Sequence, residues 1–395
     1  MNKAKIFITF LLLAGTISIV QAQDNSQNYY NPLYNGAPSL SIVPDARGSG
    51  MGDIGAATEP DIYSQFWNPA KYAFAYSKAG IGVTYTPWLR RLGITDMYIG
   101  YLAGYYKLGE TDRNAVSASI RYFSIGGINI TDEGGNPISE TTPYEASVDL
   151  GYSMKLTENF SLGAVFRFIY SDLGTAAASE SDYYPGWSMA GDLAFYYNNY
   201  LMLGNNECLF GLGLNMSNMG PKISYGDAEY NSSFLPSNLK VGASLLFPMD
   251  DYNTLSLNVD VNKLMIPTPP DYRNMTAEER EQARQDYNQK PFSIGGMFNS
   301  FGDAPGGMRE ELREYTWSFG AEYAYDNKFF FRGGYFYESP YKGNRQYFSV
   351  GAGFKFNSLQ IDASYLISTV PSNPLDQTLR FSLCFDMDGL RSLMR

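Results

Sequence analysis

Residues 345–356 read RQYFSVGAGFKF, and every second side chain is apolar: Phe348, Val350, Ala352, Phe354 and Phe356 alternate with Ser349, Gly351, Gly353 and Lys355. A period of two belongs to an extended strand, whose successive side chains point to opposite faces. The face that decides the fold is the other one. A soluble sandwich buries its apolar face in a core and wets the opposite face. Here the non-apolar face is small, polar or charged, and the pattern recurs. In NTLSLNVDVN (253–262) Leu255, Leu257, Val259 and Val261 lie opposite Ser256, Asn258, Asp260 and Asn262. In TLRFSLCFD (378–386) Leu379, Phe381, Leu383 and Phe385 lie opposite Arg380, Ser382, Cys384 and Asp386. Repeated in strand after strand, this suits an apolar exterior facing lipid around a polar lumen.

The segments fall near 78–86, 96–107, 114–125, 144–156, 160–171, 187–198, 207–217, 238–247, 253–264, 314–325, 328–338, 346–356, 359–368 and 378–387. Each is near the roughly ten residues that a tilted strand needs to cross a bilayer. The connections between them give an independent test. Every second one is compact and polar (GETDRN, TEN, NYLMLGNNE, PMDDY, DN, NS), whereas the others include GGINITDEGGNPISETTP, SDLGTAAASESDYYPG, SNMGPKISYGDAEYNSSFLPS and the stretch Met265–Arg313. Outer-membrane barrels sort short turns to the periplasmic side and long loops outside, and a soluble sandwich has no reason to do so. The expected fold is all-β: a 14-stranded antiparallel transmembrane outer-membrane barrel, with long extracellular loops and both termini on the periplasmic side.

The N-terminus agrees with export. MNKAKIFITFLLLAGTISIVQA carries Lys3 and Lys5, an apolar stretch from Ile6, and small or aliphatic residues at Val20 and Ala22. That is a secretory signal peptide over 1–22; a retained membrane anchor is the competing reading, weakened by Gly15, Thr16 and Ser18. The expected organisation continues with an N-terminal plug or hatch segment at 23–76, the barrel at 77–388 and a tail at 389–395. Aromatic residues make up 16% of the chain and charged residues 17%, as half-apolar strands require.

Several function classes drop out. The formal net charge is −11, and loss of Lys3 and Lys5 with the leader makes it about −13, so nucleic acid, which needs a basic stripe, is not expected as a partner. Histidine is absent, which removes the usual base of nucleophilic catalysis and the commonest metal ligand. Carboxylates are read as isolated groups in loops, outside any nucleophile motif. An enzyme, a cofactor and a metal are therefore not expected. Cys208 and Cys384 sit on opposite phases of their strands, which argues against a disulfide between them. Gly50, Gly52 and Gly55 match G-x-G-x-x-G, but Pro44 precedes them and no βαβ unit follows, so a dinucleotide site is discounted. These glycines are better explained by backbone packed close against barrel walls.

Residues 64–74, SQFWNPAKYAF, pose the site question. Asn68-Pro69 is a turn signal in any chain; placed just before the first strand among Phe66, Trp67, Tyr72 and Phe74, it reads as the end of a plug. Candidate plug residues are Trp67, Asn68, Pro69 and Ala70, with Trp67, Tyr72 and Phe74 expected to pack against the wall. In the longest loop, about 265–313, Thr276 and Glu279 form a capping box that starts a short helix with a thin apolar stripe of Met275, Ala277, Ala283 and Tyr287. It either lies against the barrel mouth or a partner, or is a solvated excursion.

The stretch PSLSIVPDARGSGMGDIGAATEPDIYSQFWNPAKYAF, followed by these strands, resembles the PorV (LptO) family of the Bacteroidetes type IX secretion system, within the FadL-like barrels. Pro44, Asp45, Arg47, Met51, Gly52, Asp53, Asn68, Pro69 and Ala70 carry the likeness, which extends over essentially the whole mature chain. The resemblance implies a non-enzymatic subunit that receives secreted cargo from an outer-membrane translocon. It would hold the cargo by a C-terminal signal domain and pass it to a surface attachment complex that includes a signal-cleaving peptidase. Cargo-contacting residues are unassigned beyond the extracellular loops, and outer-membrane lipid is the other expected partner. The looser likeness to FadL-like transporters implies the alternative, import of long-chain fatty acids or other hydrophobic small molecules.

Overall fold

Fourteen strands close into a single antiparallel barrel. The computed structural model describes residues 29–90, 93–109, 112–131, 134, 136–173, 184–226, 232–370, 373 and 375–387; the expected leader (1–22) and tail (389–395) lie outside them. The barrel strands are β1 Ala79–Pro87, β2 Tyr98–Leu108, β3 Asn114–Ser124, β4 Tyr144–Lys155, β5 Phe160–Asp172, β6 Gly186–Leu203, β7 Asn206–Met219, β8 Asn238–Pro248, β9 Asn253–Leu264, β10 Thr316–Tyr325, β11 Phe329–Tyr337, β12 Gln346–Phe356, β13 Leu359–Ser368 and β14 Leu379–Asp386. Each pairs with its sequence neighbours, and β1 closes the ring on β14, with Val83 opposite both Leu102 and Leu383. Closure is what lipid demands, because an open edge would leave N–H and C=O groups unsatisfied at several kcal/mol each.

The alternation read in the opening stretch is the radial axis of the barrel. Phe348, Val350, Phe354 and Phe356 of β12 face outward, while Tyr347 and Ser349 are buried inside. Outward tyrosines form a ladder across five strands near the long-loop rim, with Tyr85–Tyr98, Tyr98–Tyr122, Tyr122–Tyr144 and Tyr144–Tyr170 ring centroids 5.5–6.0 Å apart. Amphipathic rings at that height are the girdle of a membrane interface.

One connection departs from expectation. NYLMLGNNE is not a compact turn: β6 and β7 run on through it as a paired hairpin that turns only at Gly204-Asn205. Tyr200, Leu201, Met202 and Leu203 are exposed on this extension. The cause is visible in the residues, since the strand-forming run from Phe195 continues to Leu203 before the first left-handed position, Gly204, breaks it.

Residues 31–76 fold inside the barrel as short turns of helix joined by extended backbone. These are a 3₁₀ turn Pro38–Ser41, α1 Ala46–Gly50, α2 Ser64–Trp67 and a second 3₁₀ turn Pro69–Phe74. The long loop between β9 and β10 holds α3 Ala277–Gln289, α4 Ile294–Asn299 and α5 Met308–Glu311. The capping box is present, with Thr276 Oγ1 accepting from Glu279 N and Glu279 accepting from Thr276 N. Among the described residues no helix is long and apolar enough to cross a membrane; the chain crosses with strands.

Candidate functional site

The plug is built from its glycines and one tryptophan. Asp45 caps α1, accepting from Gly48 N at 2.7 Å, and accepts the Trp67 indole N–H at 2.7 Å with its other oxygen. Trp67 lies against Gly48 and Gly55, where any Cβ would overlap its ring. The indole thus fills the interior of the plug on one side, and on the other it meets the wall, where the Lys240 ammonium of β8 lies 4.0 Å from its ring centroid. Tyr72 and Phe74 also reach the wall, stacking on Tyr105 at 4.9 Å and meeting Tyr196 edge-on at 5.5 Å.

Asn68 ties plug to barrel. Its side-chain amide donates to the Ala56 and Phe195 carbonyls, both at 2.9 Å, while its oxygen accepts from Ala70 N and so caps the turn that Pro69 begins. Asn215 donates to the Trp67 carbonyl and Ser161 to that of Ala70. The structure therefore brings Trp67, Asn68, Pro69 and Ala70 together at one contact between the plug and strands β5 to β7. The glycine stretch presses its backbone to the opposite wall, where a side chain at Gly334 would collide with the Met51 carbonyl.

The inward faces of the strands carry an ionic lattice. Arg47 of the plug makes a two-point contact with Glu322 on β10, at 3.1 and 2.9 Å, and binds Asp61 at 2.9 Å. Glu322 is shared with Arg332 of β11 at 2.5 Å, and Arg332 reaches Asp362 of β13 at 2.6 Å. That last bridge passes over β12 at Gly353, whose missing side chain leaves the space. A second cluster joins Arg167 to Asp149 and Asp192, and Asp260 accepts from Gly55 N and Ala56 N of the plug. The carboxylates read as isolated loop groups are thus corrected: Asp149, Asp192, Asp260, Glu322 and Asp362 sit on strands, buried and paired, because a lumen filled by protein offers arginines and amide N–H groups in place of water.

Above the plug, toward the long-loop rim, lies a cavity of about 550 Å³. Plug residues Leu33, Ile42, Asp53 and Phe66 and wall residues Arg121, Lys240 and Arg380 line it. The two cysteines are free.

At the same rim the long loop is locked by a third ion cluster. Lys263 binds Glu311 at 2.7 Å and Glu314 at 2.5 Å; Lys342 binds Glu314 at 2.9 Å and Glu310 at 2.6 Å. Asn31 adds bonds to Glu310 and the Pro269 carbonyl. Tyr287 of α3 donates to the Pro267 carbonyl at 3.0 Å and meets Phe234 edge-on, and burial pushes its phenol pKa up. The helix is docked on its neighbours rather than free in solvent. On the outer side of this loop Ile294 and Phe298, and Met308 and Leu312, form two i,i+4 pairs with 58–69% of each side chain exposed.

A closed antiparallel barrel with an apolar, aromatic-girdled exterior and a plugged polar lumen defines an outer-membrane β-barrel. The family profile described as "Type IX secretion system protein PorV" matches residues 24–271, more than half of the chain. The chain belongs to that family and is an outer-membrane component of type IX secretion. No curated protein sequence matches it. Among solved structures it is similar to the toluene transporter TbuX of Ralstonia pickettii, with 13% identity, 88% of this chain and 98% of the other covered, and a TM-score of 0.47. The toluene transporter TodX of Pseudomonas putida aligns at 12% identity, 91% and 98% coverage and a TM-score of 0.47. A FadL homologue of Pseudomonas aeruginosa aligns at 14% identity, 87% and 99% coverage and a TM-score of 0.42.

Proposed function

We propose that this barrel is a non-enzymatic adaptor that takes secreted cargo as it leaves the translocon, holds it by its C-terminal signal domain at the extracellular rim, and delivers it to the attachment complex whose peptidase removes the signal. Both chain ends then lie on the periplasmic side. The observation that carries this reading is the loop between β9 and β10, which presents Ile294, Phe298, Met308 and Leu312 to solvent on a frame pinned by Lys263, Lys342 and three glutamates. Apolar side chains held rigid before contact lose little entropy on binding, which is how a surface gains affinity for a protein partner. Import through the lumen would require the plug to part from Glu322, Asp260 and the Phe195 carbonyl together.

The test replaces Ile294, Phe298, Met308 and Leu312 with serine and recovers the tagged barrel from native outer membrane. Cargo recovery should fall about tenfold at unchanged barrel yield, as expected when central apolar contacts of an interface are removed. Undiminished cargo recovery would take the loop out of the interface.

A further inference from the structure

The hairpin of β6 and β7 runs past both of its neighbours at the short-turn rim, the periplasmic side of an outer-membrane barrel. Pairing of β6 with β5 ends at Tyr197 and Phe160, and the Asn159 carbonyl accepts one further bond from Asn198 N. Pairing of β7 with β8 ends at Leu209 and Leu246. From Leu201 opposite Cys208 to Leu203 opposite Asn206, the two strands pair only with each other. The two edges of this extension differ. The β7 edge is closed: Asn206 Nδ2 donates to the Pro248 carbonyl at 3.0 Å, and Cys208 is fully buried. The β6 edge is open. A two-residue turn makes Leu203 and Asn206 a hydrogen-bonded pair, and the alternation of an antiparallel ladder gives Leu201 and Cys208 the next one. The backbone groups of Tyr200 and Met202 therefore point away from β7, as those of Asn198 do. Asn199 Oδ1 accepts from Tyr200 N. The Tyr200 carbonyl and the Met202 N–H and carbonyl have no partner among the described residues.

Free edges are normally guarded by lysine, proline or a bulge. From Leu193 to Asn206 there is neither a charge nor a proline. The connections GETDRN, TEN, DN and NS at this rim are polar, whereas this one exposes 60% of Tyr200 and 66% of Met202. Both side chains continue the phase of Ala194 and Tyr196, which faces the barrel interior, so lipid does not cover them; Leu201 and Leu203 continue the lipid phase. Tyr76, at the foot of the plug, is 78% exposed and lies near Tyr200. We propose that the open edge of β6 takes up an extended strand of a periplasmic protein, uncharged and apolar at alternate positions, which prolongs the β5–β6 ladder into the periplasm. The free backbone groups continue a ladder that β5 already makes, so their complement is an extended chain in the place and direction of β5. That strand runs antiparallel to β6 and stops against the turn at Asn159. A second barrel in the same membrane does not supply it. About a twofold axis along the membrane normal both hairpins point the same way, and strands tilted by about 35–45° in opposite senses cross instead of pairing. The site lies on the rim opposite the loop platform and is independent of it.

The test uses the full mature barrel in nanodiscs and a fluorescent peptide of alternating valine and threonine. The control is the same peptide N-methylated at every residue, which cannot donate to a ladder. The unmethylated peptide should bind saturably, and the methylated one about tenfold more weakly, as the loss of ladder bonds requires. Met202→Pro removes the edge N–H without touching a bond between β6 and β7, and proline is tolerated on an edge strand. It should weaken the peptide by about the same factor at an unchanged heat-modifiable gel shift. Met202→Lys keeps the backbone, places a guarding charge on the edge and should act likewise. Equal binding of the two peptides, no saturable binding of either, or unchanged binding in both variants would overturn the proposal. In cells, a benzophenone side chain in place of Tyr200 should crosslink to a periplasmic protein, and Met202→Pro should abolish that adduct. An adduct that survives Met202→Pro, an adduct with phospholipid alone, a crosslinked pair of barrels, or no adduct would each remove the periplasmic strand from this edge.

Discussion

The plug and the long loop are both stretches of some fifty residues without a barrel strand, both built from short helices, yet they satisfy their polar groups in opposite ways. The plug looks outward: Arg47, Asn68, the Gly55 and Ala56 amides and the Trp67 carbonyl are all bonded to side chains or carbonyls of the wall. The loop caps its own helices, through the Thr276 capping box, the Ser293 cap on α4 and the Asp303 bonds to Thr268, and is tied to the rim at its base by Lys263, Lys342 and Asn31. A segment bonded to the wall has no conformation of its own to keep, whereas a self-capped loop can change its outer face without disturbing what lies below. Substitutions in the plug should therefore cost global stability, and those on the loop should act locally.

The largest break should come at Arg332. It holds Glu322 and Asp362 together, and Glu322 in turn holds Arg47 of the plug. Arg332→Leu leaves Asp362 buried without its cation and Glu322 with Arg47 alone, and removing one partner of such a cluster costs about 3–5 kcal/mol. The temperature at which the heat-modifiable gel band shifts should drop accordingly. A loss under about 1 kcal/mol would show that water reaches this lattice and screens it.

A smaller loss is expected at the Asn68-Pro69 turn. The double change to alanine deletes two side-chain bonds and the cap on Ala70, worth about 1–3 kcal/mol together. With Arg47 and Asp260 still anchoring the plug, liposomes containing the variant should stay impermeable to small solutes. Leakage at unchanged stability would make this turn the gate and would reverse the comparison, giving the plug the local mobility assigned to the loop.

How far these regions could be read before folding follows the same division. Strand positions were legible to within two residues everywhere except the far end of β6, which runs on to Leu203, because the lipid face imposes a period of two. The α3 start was legible from Thr276 and Glu279 because a capping box is local. The lumen ion pairs were not found, although part of the signal was present. With the turn at Asp326-Asn327, hairpin register alone sets Glu322 opposite Arg332, and the turn after β4 sets Asp149 opposite Arg167. What no register supplies is the path of the plug, which decides that Arg47 meets Glu322 and that Trp67 turns inward to Gly48 and Gly55. Those contacts join residues far apart in sequence through a segment with no periodicity of its own.

The loop frame offers a pH test of its own. Burial alone would raise the Glu310 pKa, but the bonds from Lys342, Gly306 N and Asn31 outweigh it and hold the carboxyl below its ordinary value. A depressed carboxylate contributes stability above its unfolded pKa and loses it as pH falls through the folded one. Acidification below about pH 4.3 should therefore loosen the 306–314 region, read as faster amide exchange there, while the β-strands stay protected. Exchange rising equally in plug and loop would mean that the two are one cooperative unit.

The smallest effect should be at Thr276, where the comparison is sharpest. Thr276→Ala removes the hydroxyl that accepts from Glu279 N and leaves the reciprocal bond, from Thr276 N to the Glu279 carboxylate, in place. An exposed cap is worth about 0.5–2 kcal/mol to its own helix. α3 is fixed at its far end by Tyr287 on Phe234 and Pro267 rather than by its first turn, so fraying should be confined to residues 277–281. Amide exchange should speed up there, with the barrel melting temperature unmoved. A global shift comparable to that of the Asn68-Pro69 variant would mean that the loop, like the plug, is held through the wall, and that its outer face cannot vary independently of the barrel beneath it.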